Sequence, residues 1–423
     1  MGADPIRTIA LIAVAVCGGL ALILSFRRSP RWAMAVWTAS LFFTPVWFGV
    51  QAGIFFTVLT AITIVGIIAF VDRTFRWSHL DTAVLMFFLA LVLGLIIGGA
   101  LWGHVQGALI GWLLPYVWGR LVLQRVSPEW VAQCIAVAAV LASVLALLEF
   151  VTSRNLFLLF PGASSSIWGT LQTRGGELRA EGAFGHSIAL GGSLAISSVF
   201  LLVVRWPVWV RVAALAVVGA ATAVTFSRIG IIGLAVTVVL AVLFLGRYLS
   251  RAMRVTVAVA LVVGAAVALP SLLEVFGEAG SEASGSADYR GSLVPLLDNM
   301  NLIGLASSYE RLPTGEDYFG GFRSIDSALI LIGLRHGLVP LAILIVLLVL
   351  AVVALFGRRV NPALVALVGQ IPALATVALI TQYASFVWFV AGLAVSSYTL
   401  YGKAAIGRSV ERVEPARELA ETA

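Results

Sequence analysis

Thirteen apolar runs of roughly membrane-crossing length follow one another along this chain, at 6–24, 32–49, 53–71, 82–101, 105–123, 130–151, 185–204, 210–226, 229–246, 254–270, 327–355, 361–381 and 383–400. A bilayer core asks for spans of about 20 apolar residues. Only 11% of the residues are charged, where soluble domains carry about 25%. A water-soluble chain of 423 residues could not hide so much apolar side chain. The expectation is an all-α, polytopic integral membrane protein with about 12 to 13 transmembrane helices, forming one transmembrane domain over 1–423. The first run, Ile6–Leu24, lacks a basic leading segment and a small-x-small cleavage site, so it reads as an anchor.

Two polar stretches interrupt the runs, at 152–184 and 271–326. The second holds GEAGSEASGSADYRG and then SSYERLPTGEDYFGGF. The formal net charge is +7. Basic residues that flank spans orient a membrane protein, so the charge implies a lipid bilayer as partner and no nucleic acid. Segments 25–31, 72–81, 120–129, 205–211, 247–254, 357–361 and the tail after 400 together carry 18 of the 27 basic residues. The short connections near 50–52, 102–104 and 379–383 carry none. The first group is therefore cytoplasmic, and both long loops face outward. Thirteen spans put the N-terminus outside; twelve put it inside.

Nine basic residues remain: Arg7, Arg154, Arg174, Arg179, Arg228, Arg290, Arg311, Arg323 and Arg335. All but Arg7 fall in the outer loops, at an outer tip between spans, or in the helix that leaves the second loop. Arginine is disfavoured on that side, so a function must hold it there. The guanidinium fork matches the oxygens of a carboxylate or phosphate. Cys17 and Cys134 lie in apolar runs and read as buried small hydrophobes, supporting no disulfide frame and no metal site.

Four segments could carry chemistry. Residues 179–191 read RAEGAFGHSIALG and place Arg179, Glu181 and His186 at a membrane mouth. Gly182 and Gly185 mark a turn, and His186 is either a structural group satisfying a loop carbonyl or a functional one. Residues 225–230 read TFSRIG, with Arg228 between two apolar runs. A cation there costs ~2.5–3.5 kcal/mol on insertion scales even at a helix centre, and is a functional hypothesis by default; the alternative is a snorkelling interface anchor. Residues 284–293 read SGSADYRGSL, with Arg290 near Asp288. Finally, 322–340 read FRSIDSALILIGLRHGLVP. A helix over 327–355 would reach ~44 Å against a core of ~30 Å, so its first turns project outward or line a cavity. Asp326 stands at its start, where aspartate caps well. Arg335 lies half a turn away in projection, so Arg335 and His336 are expected against another helix.

The order and sidedness of these segments resemble the O-antigen ligase and polysaccharide polymerase superfamily, over roughly residues 179–340. Members show an R-x-x-G-x-F-x-H-P-like segment, a Ser-Arg dipeptide opening a span, a loop arginine, and a His-Asn-x-x-Leu helix ending in Gly. Here Ser187 replaces the proline, and Asp326 and Ser327 occupy the His-Asn place, with Leu329 and Gly337 following. The resemblance implies a bacterial inner-membrane enzyme with its active site facing outward. It would transfer a glycan from an undecaprenyl-pyrophosphate carrier to a glycan or glycolipid acceptor, with inversion and without metal or cofactor. Arg179, Arg228 and Arg290 would match the arginines on the pyrophosphate. Asp326, Arg228 and His186 are expected to carry the chemistry, with Arg179, Arg290, Arg323 and Glu181 on the substrate. An aspartate among arginines is a weak base, so Asp326 fills the base role less well than histidine. The rival reading is a polytopic transporter or a lipid or glycolipid flippase; the paired broken helices of such proteins are not evident as a repeat.

Overall fold

The computed structural model describes residues 5–52, 54–72, 75–162, 169–278, 293–313 and 317–411. The described chain is mostly helical, and a helix stands at every apolar run. In order these are α1 (Pro5–Arg28), α2 (Pro30–Phe43), α3 (Val58–Phe70), α4 (His79–Ile96), α5 (Trp102–Ala108), α6 (Leu114–Val122), α7 (Pro128–Thr152), α8 (Ser187–Val203), α9 (Val208–Ala223), α10 (Arg228–Phe244) and α11 (Arg251–Glu278). They continue with α12 (Ala328–His336), α13 (Leu338–Leu355), α14 (Pro362–Val368), α15 (Ile371–Thr376) and α16 (Thr381–Glu411). Among the described residues four stretches, in α4, α7, α13 and α16, are long and apolar enough to cross a membrane. On α13 the outward side chains are themselves apolar, Ile345, Val346, Val349 and Val353 among them. An apolar surface of that kind faces lipid or a partner.

Several expectations need correction. The fold is not purely helical: antiparallel hairpins join β1 (Gly49–Ala52) to β2 (Ile54–Thr57), β3 (Thr173–Arg174) to β4 (Glu177–Leu178), and β5 (Tyr309–Arg311) to β6 (Asp317–Phe319). The first hairpin shortens the run at 32–49, because α2 stops before Pro45 and the chain turns to pair with itself. The run at 361–381 is two short helices separated at Gly369 and Gln370. The polar stretch at 271–326 begins later than expected, since α11 continues to Glu278. The overlong run at 327–355 breaks at Gly337, whose φ of 99° is open to glycine and costly for other residues. A Cβ there would also strike the backbone of Leu302 and Ile303.

The centre of the molecule is α8, in which every residue except Ile188 and Val203 is buried. Its small residues let neighbours approach closely, as in membrane helix pairs. A Cβ on Gly191 would lie 3.3 Å from the Gly230 Cα of α10. One on Gly192 would lie 2.6 Å from the Tyr383 ring of α16. The first half of the SIALGGSLAISS segment is thus a close-contact surface that brings the α10 backbone and the Tyr383 ring of α16 to the same end of α8.

At the opposite, arginine-rich end, Arg120 of α6 and Asp81 of α4 form a buried ion pair with both carboxyl oxygens engaged, at 2.6 and 2.8 Å. Tyr116 donates to the same carboxylate at 2.7 Å, and the backbone N–H of Ser78 completes it at 2.8 Å. Arg120 therefore helps to lock α4 against α6.

Candidate functional site

The two segments singled out in the sequence, 179–191 and 225–230, meet. Helix α9 ends at Ala223, and the chain passes through Val224, Thr225 and Phe226 before Ser227 caps α10 by accepting from the Gly230 N–H at 3.1 Å. Carbonyls past a helix C-terminus lack helical partners and attract cations. Arg179 takes one: its Nε donates to the Thr225 carbonyl at 3.0 Å. Arg174 takes the next, donating from Nη1 to the Phe226 carbonyl at 2.8 Å. The backbone N–H of Ala180 donates to the Val224 carbonyl at 3.1 Å. Arg228 is the first residue of α10 and is half-buried. Cation and helix N-terminus both carry positive potential there, which suits an anion. Three arginines from two distant segments thus surround one turn.

Glu149 of α7 holds the first segment in place. Its two carboxyl oxygens accept the backbone N–H groups of Glu181 at 3.0 Å and Gly182 at 2.9 Å. The chain then makes a single 3-10 turn, Gly182–Phe184, bounded by Gly182 and Gly185, both with positive φ. Asn155 ties the same turn down by donating to the Gly182 carbonyl. Glu149 was not singled out in the sequence, although an acidic residue near the end of an apolar run is itself a signal of function. Arg174 was visible only as one of the outer arginines.

Glu181 is buried, and its Oε1 accepts the Gln172 N–H at 3.0 Å. Burial pushes its carboxyl up to about 7; the Gln172 hydrogen bond and the Arg179 charge only partly oppose this, and the nearby Glu149 adds to it. His186 is half-buried beside the Arg179 cation. It caps α8, its Nδ1 accepting from the Ile188 N–H at 3.2 Å. A neutral imidazole that accepts at Nδ1 carries its proton on Nε2. His186 is therefore a hydrogen-bond donor toward any ligand.

Asp326 does not cap α12. That role belongs to Ser327, whose hydroxyl accepts from Ile330 N–H at 3.3 Å, while Asp326 stands one residue outside and exposed. Among the described residues no hydrogen bond or ion pair joins Asp326 to Arg179, Arg228 or His186. Arg323 is exposed in the loop before α12. Arg290 lies outside the described residues. Arg335 and His336 end α12 and border a separate cavity rather than the arginine turn. Compared with protein-family models, with curated proteins and with solved structures, the chain matches none.

Proposed function

We infer that this chain is a polytopic membrane glycosyltransferase of the ligase or polymerase type, working at the outer face of a bacterial cytoplasmic membrane. The donor would be a glycan on an undecaprenyl-pyrophosphate carrier and the acceptor a sugar hydroxyl of a glycan or glycolipid. One observation carries the reading: Arg174 and Arg179 bind the turn that delivers Arg228 to the N-terminus of α10. That positive turn lies at the end of α8 away from the arginine-rich connections. A pyrophosphate is the ligand best matched to several guanidinium forks beside a helix N-terminus.

In the transfer, the acceptor oxygen forms a bond to the anomeric carbon while the bond from that carbon to the pyrophosphate oxygen breaks, inverting the centre. The electron pair leaves on the pyrophosphate, where the arginines stabilise the growing charge. The acceptor hydroxyl gives its proton to a carboxylate. Asp326 takes that role in the family's helix-start position, and its exposure leaves it open to an acceptor. Glu181, whose carboxyl is pushed up to about 7, is the competing acceptor of the proton. His186 serves better as a donor to the pyrophosphate.

Arg228→Lys tests the reading, because it keeps the charge and removes the fork. Purified enzyme in nanodiscs should lose most transfer from a lipid-linked donor while expressing normally. Transfer at the wild-type rate would make Arg228 an interface anchor only. Sidedness has its own test: cysteine placed at Ser281 should label from outside intact cells and cysteine at Ser409 should not. The reverse pattern would put the arginine turn on the wrong side for such a donor.

A further inference from the structure

A cavity of about 260 Å³ opens beside α12 and is lined by His104, Gly107, Trp112, Arg335, His336 and Thr381 among others. Three independent features show that its space is kept at a cost. The first is a stripe of Gly103, Gly107 and Gly111, four residues apart on one helix face. A Cβ added at any of them would meet nothing within 4 Å. Glycine inside a helix costs about 1 kcal/mol relative to alanine, and here no close packing offsets it.

The second is a set of buried polar atoms with no hydrogen-bond partner among the described residues: His336 Nδ1, His104 Nδ1, Arg335 Nε and Thr381 Oγ1. His336 is only 3% exposed. Such atoms cost on the order of 1–3 kcal/mol each when left unpaired. The His104 Nε2 is already engaged with Asp317 at 3.2 Å. That carboxylate is further occupied by Tyr309 at 2.8 Å and Arg311 at 3.8 Å, and makes no ion pair with Arg335. The third is distorted backbone at the cavity wall. Leu109–Leu113, which carries Trp112, is a π-helical turn, a feature frequent at functional sites. Thr381 has a φ of 47°, a conformation that a β-branched residue adopts only under strain.

The lining sorts by chemistry. Trp112, held by a stack on Trp388 at 5.9 Å, offers an aromatic surface. The His336 imidazole stands in the same lining as Arg335. Among the described residues Arg335 is the single arginine or lysine lining the cavity, which balances one negative charge and leaves a second uncompensated. The volume sits near the low end of small-molecule pockets, about 300 Å³, enough for one ring. We propose that this cavity binds a single sugar ring bearing one carboxylate, a hexuronate. Arg335 takes the carboxylate, Trp112 the apolar ring face, and the His336 imidazole a hydroxyl. Such binding needs no turnover and stands apart from transfer at the arginine turn. A glycine stripe also suits helix–helix pairing, but the polar wall opposite makes a poor seat for an apolar helix.

Full-length protein in nanodiscs, titrated with glucuronate, glucose and inorganic phosphate by saturation-transfer NMR, tests the proposal. Glucuronate should bind saturably, at least tenfold more tightly than glucose or phosphate. Gly107→Leu fills the cavity from a wall where added atoms meet nothing, and Arg335→Gln removes the cation from the opposite wall. Each variant that retains the wild-type elution profile should bind glucuronate at least tenfold more weakly. Failure of glucuronate to bind, equal binding of glucose or phosphate, or undiminished binding in either folded variant would overturn the assignment. So would conversion of a dimer to a monomer by Gly107→Leu, which would make the stripe a subunit contact.

Discussion

Replacing Glu149 by glutamine should loosen the arginine turn from a distance. In the wild type both carboxyl oxygens accept backbone N–H groups, from Glu181 at 3.0 Å and Gly182 at 2.9 Å, in a site where Glu149 is 4% exposed. A glutamine side chain has one oxygen and one NH2, and the NH2 cannot accept. One of the two N–H groups is then left buried without an acceptor, at a cost of about 1–3 kcal/mol. The turn it belongs to carries Arg179 on one side and His186 on the other, so the cost falls on local rather than global stability. Amide exchange reads such local opening directly. At 1.4 kcal/mol per factor of ten, exchange across 179–186 should quicken by roughly 5- to 150-fold, while α8 beyond Ser193 keeps its protection. Transfer activity should fall in the same variant. Unchanged exchange at 179–186 would show that Glu149 does not hold the turn, and the placement of Arg179 would need another cause.

Four further outcomes follow from the same contacts. Asp81→Ala leaves Arg120 buried without its carboxylate and should cost about 3–5 kcal/mol; thermal unfolding should show a smaller loss for the double variant with Arg120→Met. The Glu181 carboxyl is raised to about 7 from an ordinary 4.5, so its stabilising contribution is fully present below pH 4.5 and is lost as pH rises through 7. The loss approaches about 1.4 kcal/mol per pH unit in that window, and Glu181→Gln should flatten the pH dependence of unfolding there. Asp326→Asn should abolish transfer without changing stability, because Ser327 is the cap. Ser327→Ala should lower stability by about 1 kcal/mol, and full transfer by the Asn variant would shift the base role to Glu181.

What the amino-acid order determined by itself is what depends on neighbours along the chain. Runs of apolar residues marked where helices stand, since run length and Gly or Pro breaks act locally. The length of 327–355 shows a run too long for one crossing, but only the structure shows that it breaks at Gly337. Of the arginines outside the basic connections, Arg179 and Arg228 meet at the turn before α10, whereas Arg335, expected against another helix, lines a cavity. Only the tertiary structure decided which groups share a site. Arg174 and Phe226 are 52 positions apart and Glu149 and Gly182 are 33 apart, and no local pattern encodes such distances. Helix start was misjudged by one residue at Asp326 because Asp and Ser cap equally well and stand side by side, so only the hydrogen bond to Ile330 separates them. Gly103 reads as part of a short connection, and Gly107 and Gly111 as part of an ordinary span, until the structure leaves their face open, because empty space is a property of what packs nearby and has no signature in the chain itself.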